Sequence, residues 1–112
     1  MTSDACRLFH VDVSGLRLLV TYSGHGTQWI GNDDVCRDEM GLRGRTVEQT
    51  NAAIVPHPAR IRAVQRFSVA VLKGESYPGN LGNGIVHRSP PIGASGMRRL
   101  RLCLDAEVDD CG

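Results

Sequence analysis

The sequence predicts an all-β domain, a sandwich or small barrel, and three observations carry that expectation. Short runs of aliphatic and β-branched residues alternate with polar ones at period two. Thirteen Gly and five Pro fall largely between those runs, as turn-rich connections between short strands require. Aromatic residues are few (Trp29, Tyr22, Tyr77, Phe9 and Phe67), so branched aliphatics must fill the core.

In chain order, the first signal is His10-Val11-Asp12, read as a strand that projects His10 and Asp12 to one side. Residues Leu16 to Tyr22 alternate, with Leu18, Val20 and Tyr22 on one face and Arg17, Leu19 and Thr21 on the other. A turn at Ser23-Gly24-His25-Gly26 precedes a second strand, Thr27 to Ile30. Asn32-Asp33-Asp34 predicts the cap of a short helix reaching Asp38 and closed by Gly41. From Gly41 to Pro58 the chain is polar and without clear period, which predicts a long loop. Strands are expected again at Ile61 to Val64, Phe67 to Leu72 and Ile85 to His87, the last halted by Pro90-Pro91. The final strand, Arg99 to Asp105, alternates strictly and sets Leu100, Leu102 and Leu104 on one face. The 112 residues form one domain, with a core of about 7–105 and an acidic tail at 106–112.

Charge and composition narrow the function. Thirteen Lys+Arg against twelve Asp+Glu leave a formal charge of +1, and no basic groove or aromatic platform is visible, so no nucleic-acid partner is expected. No run approaches the roughly 20 apolar residues of a membrane span. The N-terminus shows no export signal, and the four cysteines show no zinc-ligand spacing, so a cytoplasmic protein with free thiols is expected. His25 and His57 sit in turn-like sequence and are expected at the surface. Ser89 lacks the partners of a hydrolase triad.

The chemistry resides in His10, Asp12 and a distant imidazole, His87. A strand carrying His87 beside the H-x-D segment would bring two nitrogens and one carboxylate to one face of a metal ion. That facial triad leaves positions open on a non-haem Fe(II). Downstream, Arg98 and Arg99 open the last predicted strand, where a guanidinium can hold a carboxylate by two parallel hydrogen bonds. Period two allows only one of the pair to face inward.

Five segments carry a resemblance: F-H-V-D (9–12), R-L-L-V-T-Y-S-G-H-G-T-Q-W (17–29), V-L-K-G-E (71–75), V-H-R-S-P-P (86–91) and R-R-L (98–100). Together they resemble a bacterial family of unknown function, over residues 6 to 105. The order H-x-D, distal His, then Arg resembles the double-stranded β-helix of the Fe(II)- and 2-oxoglutarate-dependent dioxygenases, within the cupin-like group. The resemblance implies a jelly-roll-like barrel, with His10, Asp12 and His87 as iron ligands. It implies Arg99, with Arg98 as rival, as anchor for the far carboxylate of 2-oxoglutarate. Tyr22 and Trp29 are candidates to line the co-substrate or substrate pocket, with ordinary core packing as their alternative. The implied activity is hydroxylation of an unknown small-molecule or protein substrate. Two other readings stay open: a non-catalytic cupin-like module for a metal or small acid, and a structural β-domain acting through a partner. Such dioxygenases carry a strand and helices before the H-x-D segment, whereas nine residues precede His10 here. The outward leucine face is therefore expected to be covered by a homodimer or another partner.

Overall fold

The computed structural model describes residues 7–23, 25–90 and 100–107, and among them the protein is mainly β. Strands β1 (Leu16–Ser23), β4 (Val69–Lys73) and β6 (Leu100–Ala106) form one antiparallel sheet in the order β4-β1-β6. Strands β2 (Gln28–Ile30), β3 (Arg62–Ala63) and β5 (Val86–Arg88) form the second, also antiparallel, in the order β3-β2-β5. Among the described residues no barrel closes.

The sequence between Gly41 and Pro58 is not a plain loop. It holds a helix, α1 (Val47–Ile54), started by a capping box in which Thr46 and Gln49 satisfy each other's backbone N–H groups. Its buried face is formed by Thr50, Asn51 and Ile54, so two of the three inward residues are polar and the hydrophobic period is hidden. The short helix expected from Asn32 to Asp38 is instead two separate 3-10 turns, Asn32–Asp34 and Arg37–Glu39. Val35 and Cys36 between them are extended, which interrupts helical hydrogen bonding.

Each sheet has two unlike faces. Ile30 and Val86 are direct register partners, and both are fully buried against Ile54, Val55 and Phe9 in the main apolar cluster. The opposite face of that sheet carries Trp29 and its register partner His87. In the other sheet, Leu19, Thr21 and Leu72 form the buried side. The alternate row is open on the two flanking strands, where Val69 is 61% exposed, Val71 and Leu104 are each 56% and Leu102 is 44%, whereas Val20 on the central strand is buried. Registers Leu18↔Val71, Leu18↔Leu104, Val20↔Val69 and Val20↔Leu102 set these side chains on one apolar surface. No helix among the described residues is long and apolar enough to cross a membrane.

The chain's opening segment is tied to this frame by α1. The buried Asn51 side chain accepts from the backbone N–H of Phe9 (2.9 Å) and donates to the carbonyl of Arg7 (3.0 Å). Replacing Asn51 with Ala leaves the Phe9 N–H buried without its partner and should destabilise the fold by about 1–3 kcal/mol. The shift of the urea midpoint measures this, and an unchanged midpoint would refute the clamp.

Candidate metal centre

The H-x-D segment does not form the regular strand that its spacing predicts. His10 makes a single antiparallel bridge to His87, with backbone N–H to carbonyl distances of 3.0 Å both ways. Beyond it the backbone turns to a different partner. The carbonyls of Asp12, Val13 and Gly15 accept from the N–H groups of Glu75, Ser76 and Gly74. Alternation nevertheless survives through residues 9–12. Phe9 and Val11 join the apolar cluster with α1, while His10 and Asp12 turn towards the gap between the sheets.

The single bridge explains how two imidazoles 77 positions apart come together. Residues directly opposite in an antiparallel pair project their side chains to the same face. The His10 and His87 rings accordingly lie 4.6 Å apart between centroids. Asp12 completes the group: one candidate ligand atom from each of His10, Asp12 and His87 lies within 4.8 Å of the others. Asp12 and His87 are buried, at 7% and 3% exposure, and His10 is half-buried.

Backbone carbonyls fix both rings. Nδ1 of His10 lies 2.6 Å from the Leu8 carbonyl, and Nδ1 of His87 lies 2.9 Å from that of Ile85. A carbonyl can only accept, so Nδ1 carries a proton in each ring, and in the neutral imidazole the lone pair is on Nε2. Nε2 of His87 and Oδ2 of Asp12 are both buried without a hydrogen-bond partner, and Nε2 lies 3.3 Å from Oδ1 of Asp12.

Arg17 on β1, which sequence reasoning treated as an ordinary strand residue, is part of the centre. Its Nη1 lies 2.9 Å from Oδ1 of Asp12. Its Nε and Nη2 grip both oxygens of Asp105, its register partner on β6, at 2.7 and 3.1 Å. That two-pronged bond, against the opposing effect of burial, raises the pKa of Arg17 and keeps it cationic. Burial opposes ionisation of Asp12, and the Arg17 guanidinium 2.9 Å from Oδ1 favours it.

Burial lowers the pKa of His10 from its ordinary 6.5, the Leu8 carbonyl only partly opposing it. The unfolded chain therefore takes up this proton at a higher pH than the folded protein does. The associated stability is fully present above pH 6.5 and declines as pH falls through the lowered folded value. Metal-free protein should lose thermal stability between pH 7 and 5 by calorimetry, and His10→Asn should flatten that slope. A slope unchanged by the substitution would contradict it.

The V-L-K-G-E stretch acts as a scaffold. The Glu75 carboxylate accepts from the N–H groups of Gly82 and Gly84, just before β5, while its own N–H holds the Asp12 carbonyl. Of the other candidates, Trp29 is half-buried beside His87. Tyr22 is exposed and meets Phe67 edge-on, because period two along β1 sends Arg17, Leu19 and Thr21 inward instead. Arg98 and Arg99 lie outside the described residues. His25 and His57 are exposed, and Ser89 is buried.

A family model described as "Protein of unknown function (DUF1826)" matches residues 1–105. No curated protein and no solved structure matches the chain.

Proposed function

Because the chain belongs to the DUF1826 family, whose description specifies no activity, we propose a function from the chemistry of the cluster: His10, Asp12 and His87 bind one divalent metal ion, Fe(II), as a facial triad. The observation that carries this reading is the pair of bare buried acceptors, Nε2 of His87 and Oδ2 of Asp12. With Nδ1 protonated, Nε2 of His87 faces a carboxylate oxygen at 3.3 Å, lone pair towards negative charge. An added proton would satisfy the ring and leave Oδ2 bare. A cation satisfies both, and takes the Nε2 of His10 as well.

The surroundings fit such an ion. Each ligand imidazole donates its other N–H to a carbonyl, and the carboxylate is held by a guanidinium, the usual outer partners of metal ligands. Bonds of about 2.1 Å to one ion set donors roughly 3.0–3.4 Å apart. Binding therefore draws the most separated pair inward from their present spacing within 4.8 Å. Three protein ligands leave further coordination positions open.

We read the two antiparallel sheets, with this cluster between them, as part of a double-stranded β-helix, and the activity as Fe(II)- and 2-oxoglutarate-dependent hydroxylation. Bound in the triad, Fe(II) supplies oxidation of a C–H bond with 2-oxoglutarate and dioxygen as co-substrates. The chain's residues hold the geometry. Leu8 and Ile85 orient the rings, Arg17 occupies Oδ1 of Asp12 and leaves Oδ2 to the ion, and Asp105 fixes Arg17.

Anaerobic titration tests the proposal. One equivalent of Co(II) should bind with visible absorption bands, and Fe(II) with 2-oxoglutarate should give a broad visible band. Stoichiometric metal without the second band would favour the non-catalytic metal-binding module, whereas no metal uptake would end both readings.

A further inference from the structure

A cavity of about 470 Å³ lies in the gap between the two sheets, one strand over from the metal cluster. Its position follows from register. Trp29, on one wall, is the cross-strand partner of His87, and Leu72, on the facing sheet, is the cross-strand partner of Arg17. Ala70, Val71, Val64 and Ile85 complete the apolar lining. Residues 70–73 of β4 all line it, so the cavity opens along that strand's outer edge.

We propose that this cavity receives the substrate, and that the substrate is an uncharged, compact apolar molecule whose reacting C–H bond is presented to the ion held by His10, Asp12 and His87. The proposal rests on the metal-centre reading and adds the substrate class. The volume falls within the range of small-molecule pockets, which combine an apolar wall with a few polar groups. Here the polar groups include the neutral amides of Asn80 and Asn83. Two cations stand nearby, and each is engaged by an aromatic face. The ammonium of Lys73, a lining residue in the outward row of β4, lies 4.5 Å from the Tyr77 ring centroid. The guanidinium of the exposed Arg62 lies 5.6 Å from that of Trp29. A carboxylate-bearing ligand would have to shed water against Ala70, Leu72 and Ile85, a cost that a neutral ligand avoids.

Trp29 is the sole tryptophan, so its fluorescence reports on the cavity wall with or without metal. The probes are 1-adamantanol and its anionic counterpart 1-adamantanecarboxylate, titrated into the whole chain, with Co(II) binding measured in parallel. The alcohol should shift Trp29 emission to shorter wavelength with saturation, and the carboxylate should bind about tenfold more weakly or worse. Ala70→Phe, which fills the cavity, should weaken alcohol binding about tenfold while leaving Co(II) affinity unchanged. If that variant fails to fold, Ala70→Leu is the smaller filler with the same expected direction.

No saturable shift with Co(II) still bound would overturn the cavity proposal and leave the metal centre standing. A shift that survives the filled cavity, or a carboxylate that binds as well as the alcohol, would also overturn it. A saturable, fillable shift in a protein that takes up no metal would retain the ligand site and overturn the metal reading instead.

Discussion

Replacing His87 with alanine should lower Co(II) or Fe(II) affinity by more than about 100-fold, since loss of a mere outer partner of a ligand already costs about 10–100-fold. The substitution removes one of three donors and, with it, the ring whose lone pair faces Asp12. Two effects on the metal-free protein oppose one another. Loss of a side chain only 3% exposed leaves a void, which destabilises. Loss of the contact between two acceptors at 3.3 Å relieves repulsion, which stabilises. The metal-free variant should therefore stay folded while its affinity collapses. Competition against a coloured chelator measures the affinity, and circular dichroism the fold. An affinity within a few-fold of the parent would remove His87 from the centre.

Replacing Gly74 with alanine should be severely damaging. A Cβ built there would stand 1.9 Å from the Ser14 carbonyl oxygen and 2.8 Å from that of Asp12. Both obstacles are backbone, so no side-chain rotation relieves them. The segment 12–15 would have to move off the 74–76 turn, breaking the bonds from Gly74, Glu75 and Ser76 to Gly15, Asp12 and Val13. A loss of about 3 kcal/mol or more is expected. That corresponds to a fall in Tm of roughly 10–20 °C for a domain of this size. Metal affinity should fall with it, because the displaced backbone carries Asp12. Gly31→Ala is the control. Its Cβ meets nothing within 4 Å and its φ of −72° suits alanine, so stability should stay within about 0.5 kcal/mol. A Gly74→Ala protein as stable as that control would refute the close approach.

The two sheets were legible in proportion to their alternation. Leu16 to Tyr22 and the Leu102/Leu104 run read as strands because one side of each is apolar, and the structure pairs them directly. The inward residues of α1 are Thr50, Asn51 and Ile54, so a period based on apolarity could not reveal it. Its start was nevertheless written as Thr46-x-x-Gln49, the spacing of a capping box. At the candidate centre, the i, i+2 spacing of His10 and Asp12 gave the shared side, although only one residue pair bridges. Arg17 left no local trace. Its partners lie 5 and 88 positions away, and only folding sets them beside it.

The joint that pins the chain's opening to its far end governs when the pocket for the ion comes into being. Asp12 and His87 are 75 positions apart, and no shorter fragment contains both. Contacts of such long range form slowly, because a large loop must close before they reward the chain. On the ribosome, the nascent polypeptide must expose His87 before it can hold the ion. In refolding, metal capture should accordingly trail the recovery of β-structure, as a late phase in stopped-flow absorbance.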